Sequence, residues 1–296
     1  MAVEEPHRPD SGATSNQDSE FITYDEYEML PIGYRFSLSD GYRDVENRYP
    51  FVVMVAAAVD PPKVVMCSGI LLTPRLVLTA GHCVCGKRKP TLQEKGASSV
   101  IDASRCARTA TIDTAVYTSA REKLTSPTEQ FRSYDGTVRP HPNLEILLDE
   151  QLMPLSSRAD FAMIALDKPV EVRVPTIRLP DSEPQLNEPF VIVGYGLDGR
   201  TDLIEGFRRS GWKEIASLPT PGSERFLFEP YGAAFTTGSG EPTLEFQGSG
   251  FALTGITTLS SVEENGFTST YVYRDWLRSE IRHASSPSGG LPKTKD

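Results

Sequence analysis

The chain of 296 residues carries 30 Lys and Arg against 40 Asp and Glu, which gives a formal net charge of −10. This acidity speaks against a nucleic-acid partner, because phosphate binding needs a clustered basic face that displaces counterions. The densest basic run, Lys87-Arg88-Lys89, is interpreted as a solvated loop tip. No stretch approaches the ~20 apolar residues of a membrane-spanning helix, so no membrane partner is expected.

The first 49 residues divide into two segments of different composition. Residues 1–20 are acidic and rich in Ser, Pro and Asn, which predicts a disordered tail. They have neither the basic nor the apolar region of a secretory signal, so we expect a cytoplasmic protein, or a secreted one if its signal is missing from this sequence. Residues 21–49 add aromatic and aliphatic side chains and are interpreted as a propeptide-like or regulatory segment.

From residue 50 onward, short apolar and β-branched runs predict many strands joined by turns. These runs cover residues 51–59, 64–72, 75–83, 108–117, 159–170, 189–196, 225–230, 242–248 and 251–260. Residues 269–284 instead place apolar side chains at helical spacing, which predicts a C-terminal helix packed on the body. Residues 285–296 are rich in Ser, Pro, Gly and Lys and predict a flexible tail.

The first informative motif is Cys67-Ser68-Gly69-Ile70-Leu71-Leu72 followed by Leu78-Thr79-Ala80-Gly81-His82-Cys83. His82 follows a strand-like run, and small neighbours leave room for its imidazole. The pair of strings resembles the histidine motif of the trypsin-like serine proteases, as in a divergent bacterial-type member. The resemblance implies an all-β fold of two packed six-stranded antiparallel barrels with a C-terminal α-helix. It also implies that His82 is the catalytic base and that Cys67 and Cys83 form a disulfide.

A second motif, Asp160-Phe161-Ala162-Met163-Ile164-Ala165-Leu166, places an acid at the head of an apolar strand. It resembles the aspartate motif of the same family, in which the carboxylate accepts the imidazole Nδ1–H and fixes the tautomer. The string Val138-Arg139-Pro140-His141-Pro142-Asn143 is similar to the family's strand that ends in His-Pro. A structural role is therefore expected for His141.

The nucleophile motif is Thr237-Gly238-Ser239-Gly240-Glu241-Pro242, where the family typically has Gly-Asp-Ser-Gly-Gly-Pro. The string Gly255-Ile256-Thr257-Thr258-Leu259-Ser260 resembles the family's substrate-binding strand, which follows the nucleophile after a hairpin. A rival serine, Ser249, lies too close to this string to leave room for that hairpin, so Ser239 is predicted to be the nucleophile. By resemblance, the backbone N–H groups of Ser239 and Thr237 form the oxyanion hole. Gly238 has no carboxylate for the ion pair that activated family members form with a new N-terminus.

Substrate specificity is predicted from three positions: Ala233, Thr258 and Ser260. Members of the family that prefer Arg or Lys carry an aspartate where this chain has Ala233, so a basic P1 residue is not expected. The 77 residues between His82 and Asp160 predict enlarged surface loops at 84–107 and 118–132. Cys85 and Cys106 could close the first of these loops, although in a reducing cytoplasm they need not pair.

Residues 50–284 are therefore expected to form a trypsin-like protease domain that cuts protein or peptide substrates with His82, Asp160 and Ser239. Neither a cofactor nor a metal is expected. Control by an upstream regulator, or by an activating protease that clips residues 1–49, is expected as well. The alternative is a pseudoprotease, a binding module whose altered serine loop no longer supports turnover.

Overall fold

The computed structural model describes residues 42–44, 46–117, 129–196, 208–221, 223–228, 239–247, 250–259 and 265–285. The predicted tail at 1–20, residues 21–41 of the predicted regulatory segment, and all of the C-terminal tail except Ser285 lie outside the described residues.

Eighteen strands, one 3₁₀ turn and one α-helix make up the described secondary structure. The strands are β1 (Tyr42–Arg43), β2 (Val52–Asp60), β3 (Lys63–Thr73), β4 (Leu76–Thr79), β5 (Cys85–Arg88), β6 (Ser99–Cys106), β7 (Thr109–Tyr117), β8 (Glu129–Pro140), β9 (Glu145–Leu148), β10 (Pro154–Arg158), β11 (Ala162–Leu166), β12 (Ile177–Arg178), β13 (Pro189–Gly194), β14 (Arg209–Ser217), β15 (Arg225–Phe228), β16 (Pro242–Gln247), β17 (Gly250–Thr257) and β18 (Asn265–Ser269). The helix α1 spans Arg274–Ser285.

The first barrel closes in the strand order β11-β4-β3-β2-β7-β8. All of its strand pairs are antiparallel, as in the pairing of Val55 with Cys67 between β2 and β3. Its interior is filled by aliphatic side chains from the predicted apolar runs, among them Ile70, Ile112 and Ile164, which are fully buried. Closure removes the exposed edges that an open sheet of this length would present.

The second barrel closes in the order β14-β13-β16-β17-β18-β15, because β15 also pairs with β14. Four phenylalanines form much of its interior: Phe190, Phe226, Phe228 and Phe267. The rings of Phe190 and Phe228 meet edge to face with centroids 5.5 Å apart, a geometry that favours aromatic pairs. The predicted architecture of two six-stranded barrels and a C-terminal helix is confirmed.

A further four-stranded sheet, in the order β10-β9-β6-β5, corrects the prediction of a surface loop at 84–107. Much of that segment forms β5 and β6, which pair antiparallel with Cys85 opposite Cys106. The basic run at 87–89 is likewise not a loop tip, since Arg88 lies in β5 and contacts Glu94 and Asp102. These short, polar strands are stabilised by partners far along the chain, so their own residues give little signal.

Helix α1 packs on the first barrel, as the spacing of its apolar residues predicts. Leu277 is fully buried, and the rings of Tyr273 and Trp276 meet His141 edge to face with centroids 4.9 and 4.7 Å away. Burial lowers the pKa of His141, so the imidazole stays neutral and serves as a packing element, as expected. In the described part of the chain, no helix is long and apolar enough to cross a membrane.

Candidate active site

His82 lies in a single 3₁₀ turn, Gly81–Cys83, directly after β4. The turn is buried, and a Cβ atom on Gly81 would lie 2.7 Å from Leu144 Cδ2. A glycine therefore allows the turn to sit against the neighbouring loop. His82 as a whole residue is 8 % exposed, and its side chain is 5 % exposed.

Asp160 precedes β11, and the pairing of β11 with β4 brings it to the histidine turn. Its Oδ2 lies 2.7 Å from His82 Nδ1, and its Oδ1 accepts a hydrogen bond of 2.9 Å from the His82 backbone N–H. The hydroxyl of Thr258 also donates to Oδ2. Because a carboxylate only accepts hydrogen bonds, this arrangement keeps a proton on Nδ1 and leaves Nε2 as the basic nitrogen.

The carboxyl of Asp160 is fully buried, yet its pKa lies below its ordinary value. Burial alone would raise the pKa, but the electrostatic attraction of His82 and the hydrogen bonds from His82 and Thr258 outweigh that effect. Asp160 is therefore ionised at neutral pH. A buried, ionised carboxylate in contact with an imidazole is the electrostatic arrangement that stabilises an imidazolium during proton transfer.

The backbone that carries Asp160 has an unusual conformation fixed from the other barrel. Ala159 has a φ of 49°, in the left-handed region that non-glycine residues rarely occupy. Its N–H donates to Glu224 Oε2 over 3.0 Å, and the Tyr273 hydroxyl donates to the same carboxylate oxygen. Sequence reasoning did not single out Glu224, which offers no signal because it precedes β15 and meets Ala159 only through the tertiary fold.

The predicted pair Cys67–Cys83 is a disulfide, and so is Cys85–Cys106, whose pairing the sequence left open. The first joins β3 to the histidine turn, as the resemblance implied. Cys67, His82 and Cys83 also form a group with metal-ligand spacing among the described residues. The two sulfurs are bonded to each other, so they cannot act as the thiolate ligands that such a site would need.

Ser239 lies in a turn before β16 and is half-buried. Its carbonyl oxygen accepts a hydrogen bond of 2.9 Å from the backbone N–H of Ser68, which follows Cys67 in β3. The next residue, Gly240, has a φ of 79°, and a Cβ atom there would lie 2.3 Å from the Ser68 carbonyl oxygen. Glycine is thus required at 240 for both its backbone conformation and its lack of a side chain.

The remaining predicted site residues are only partly covered by the structure. Thr258 is buried and its hydroxyl donates to Asp160, an interaction that the sequence did not reveal when Thr258 was predicted to bind substrate. The predicted residues outside the described part of the chain are Thr237, Gly238, Ala233, Ser260 and the rival Ser249.

The site draws residues from both barrels. His82 and Asp160 belong to the first barrel, whereas Thr258 and Ser239 follow or precede strands of the second. Sequence comparison agrees with this architecture, since a family model described as Trypsin matches residues 39–277. No curated protein matches the chain. The family model covers most of the sequence, and the paired His82 and Asp160 lie where the fold brings its barrels together. The chain therefore belongs to the trypsin family.

Proposed function

We propose that this protein is a serine endopeptidase that hydrolyses peptide bonds of protein substrates with Ser239, His82 and Asp160. The observation that carries the proposal is the buried contact between His82 Nδ1 and Asp160 Oδ2 at 2.7 Å, supported by the Thr258 hydroxyl. This pair supplies an oriented base, which a serine hydroxyl needs because it is a poor nucleophile at neutral pH.

In the proposed reaction, Ser239 Oγ attacks the carbonyl carbon of the scissile bond while His82 Nε2 takes the hydroxyl proton. The backbone N–H groups of Ser239 and Thr237 bind the oxygen that becomes negative, an interaction worth about 3–4 kcal/mol per donor removed. The tetrahedral intermediate collapses as His82 returns the proton to the leaving amine. Water, activated by the same histidine, then hydrolyses the acyl-enzyme.

An organophosphonate probe tests this proposal, because it forms a covalent bond only with a serine activated by a neighbouring base. The full chain should be labelled, Ser239→Ala should not, and Ser249→Ala should be labelled like the wild type. A chain that folds with native circular dichroism and melting temperature but takes no label would support the alternative, a pseudoprotease that binds proteins without turnover. Labelling that is lost in Ser249→Ala would place the nucleophile at the rival serine.

The proposed substrate preference excludes a basic P1 residue, since Ala233 offers no carboxylate to a Lys or Arg side chain. A small or medium uncharged P1 residue fits Ala233 and Ser260 better. Cleavage of a peptide library, read by mass spectrometry, tests this preference. Enrichment of Arg or Lys at P1 would contradict it.

Control of the protease is proposed to involve residues 1–49, either through clipping or through a partner protein. Part of this segment is built into the fold, because β1 pairs with β14 and Asp44 is buried. Mass spectrometry of the N-terminus of protein recovered from cells tests the clipping mechanism. Full activity in an uncut chain would refute it.

The proposed compartment is an oxidising one, in contrast to the cytoplasmic location expected from the N-terminal residues. Two disulfides, Cys67–Cys83 and Cys85–Cys106, support this choice, because disulfides seldom persist where glutathione keeps thiols reduced. Thiol trapping of the protein in intact cells tests it. Four free thiols in the recovered chain would contradict the oxidising compartment and support the cytoplasmic location.

A further inference from the structure

Glu241 is a fully buried acid two residues after Ser239, at a position where the family typically has glycine. Burying a carboxylate is costly unless hydrogen bonds replace its hydration. Ser239, Gly240 and Glu241 form a turn that is here named the serine turn. Glu241 in this turn therefore needs hydrogen-bond partners within the protein.

The partners of Glu241 join the serine turn to two other parts of the second barrel. Its Oε1 accepts a hydrogen bond of 2.9 Å from the backbone N–H of Gly196, just after β13. Its backbone N–H donates to Thr257 Oγ1 over 2.8 Å, and its carbonyl oxygen accepts from the Thr257 N–H over 2.8 Å. The end of the serine turn is thus fixed to β17 and to the segment that follows β13.

Gly194 provides the space that the Glu241 side chain occupies. A Cβ atom on Gly194 would lie 2.4 Å from both Cγ and Oε1 of Glu241. The φ of Gly194 does not lie in the left-handed region, so glycine is needed here for room rather than for backbone conformation. Glu241 and Gly194 are therefore complementary in shape.

The same segment also holds the other end of the serine turn, through Ser68. The Tyr195 N–H donates to Ser68 Oγ over 2.9 Å, and the Ser68 N–H donates to the Ser239 carbonyl over 2.9 Å. The adjacent residues Tyr195 and Gly196 consequently support Ser239 from two sides, one through Ser68 and the other through Glu241.

We propose that Glu241 is a positioning residue that holds the serine turn, and with it Ser239, in the geometry for attack. This inference rests on the proposed protease function. Gly238 has no carboxylate with which to form an ion pair to a new N-terminus. Glu241 instead anchors this segment from within the folded chain. The contacts are present in the uncut chain, so this anchor needs no cleavage.

The decisive variant is Glu241→Ala, with Glu241→Gln as its conservative partner. We expect Glu241→Ala to lower kcat by about 10- to 100-fold, because a misplacement of about 1 Å in a catalytic group has an effect of this size. KM and the pH dependence of kcat/KM should hardly change, because the pair of His82 and Asp160 is left intact. Glu241→Gln keeps an oxygen for the Gly196 N–H and should retain most of the activity.

A double-mutant cycle with Gly194 tests whether the side chain acts through this packing. Gly194→Ala should displace Glu241 and lower kcat, as should Glu241→Gly. The double variant should be no slower than Glu241→Gly alone, because the methyl group then has nothing left to displace. Full additivity of the two effects would contradict the proposed coupling.

Amide hydrogen exchange separates this inference from the proposed protease function. In Glu241→Ala the amides of Ser68, Gly196 and Gly240 should exchange faster. They should be unchanged in Phe226→Leu, a control that loses packing elsewhere in the second barrel. If the wild type takes no phosphonate label, the protease function fails, and exchange alone then decides whether Glu241 holds the turn.

Two results would overturn the anchor. One is a Glu241→Ala protein whose exchange at these amides equals that of the wild type, whatever its activity. The other is an active wild type in which Glu241→Ala loosens the turn but leaves kcat within about twofold, well short of the effect expected of a displaced group.

Discussion

Thr258 illustrates how one hydroxyl can set the chemistry of a buried pair. Its donation to Asp160 adds to the two hydrogen bonds that His82 makes to the same carboxylate. Together they offset the cost of burying the charge and hold the pKa of Asp160 below its ordinary value. Removing the hydroxyl would leave the carboxylate with one donor fewer in a site that water does not reach.

We predict that Thr258→Val lowers kcat/KM by about 10- to 100-fold, because a hydrogen bond to a charged group is worth about 1.5–3 kcal/mol. Valine has a similar shape, so the fold should remain. Thr258→Ser keeps the hydroxyl and serves as the control. Steady-state kinetics with a peptide substrate provide the measurement, and wild-type kcat/KM in the valine variant would contradict the assigned role.

At the scale of elements, strands with apolar or β-branched runs were predictable, whereas β14 and β18 of the second barrel were not, nor was the sheet of β5, β6, β9 and β10. That sheet depends on the pairing of β6 with β9, as between Ile101 and Ile146, which are 45 positions apart. Arg88, which lies in β5, adds ionic contacts to this sheet. Its guanidinium nitrogens lie 2.6 Å from a carboxylate oxygen of Glu94 and 2.6 Å from one of Asp102. The hydrogen bonds from Arg88 and from the Thr91 backbone lower the pKa of Glu94 to about 2.

We predict that Arg88→Met raises the pKa of Glu94 from about 2 toward its ordinary value of 4.5. Because the pKa of Glu94 is lower in the folded state, its ionisation stabilises the fold at pH values above the ordinary pKa. This stabilisation is lost as the pH falls toward 2. This part of the acid dependence should therefore shrink in the variant to what the Thr91 backbone still contributes. Carboxyl carbon shifts in an NMR titration measure the pKa directly.

Arg105→Met is the matched control for this titration, since Arg105 contacts Asp60 rather than Glu94. It should leave the pKa of Glu94 near 2. A Glu94 that still titrates near 2 in Arg88→Met would show that the guanidinium is not the cause of the shift.

At the scale of the whole molecule, Arg208 forms a buried ion pair with Asp44 and also contacts the first barrel. Arg208 Nε lies 2.8 Å from Asp44 Oδ2, and both side chains are almost completely buried. Arg208 precedes β14 of the second barrel, and its Nη1 donates to the Ala115 carbonyl in β7 of the first barrel over 3.1 Å. The same Nη1 lies 3.3 Å from the Tyr195 hydroxyl, next to the segment that contacts Glu241.

We predict that Arg208→Met destabilises the protein by about 3–5 kcal/mol, because removing one partner leaves a buried charge uncompensated. The double variant Asp44→Leu, Arg208→Met removes both charges and should recover part of that loss. Urea unfolding followed by fluorescence measures both free energies. A single variant that loses less than about 1 kcal/mol would show that the pair contributes no more than a surface ion pair does.

The sequence by itself determined the class of fold, the histidine and aspartate motifs and the first disulfide, because short patterns around His82 and Asp160 carry that information. Ser239 as nucleophile stays a prediction. Only the tertiary structure decided that Thr258 supports Asp160, that Arg208 meets Asp44, and that Glu241 faces Gly196. These contacts join residues 98, 164 and 45 positions apart. Local propensity depends on near neighbours, whereas such contacts depend on how closed barrels pack together.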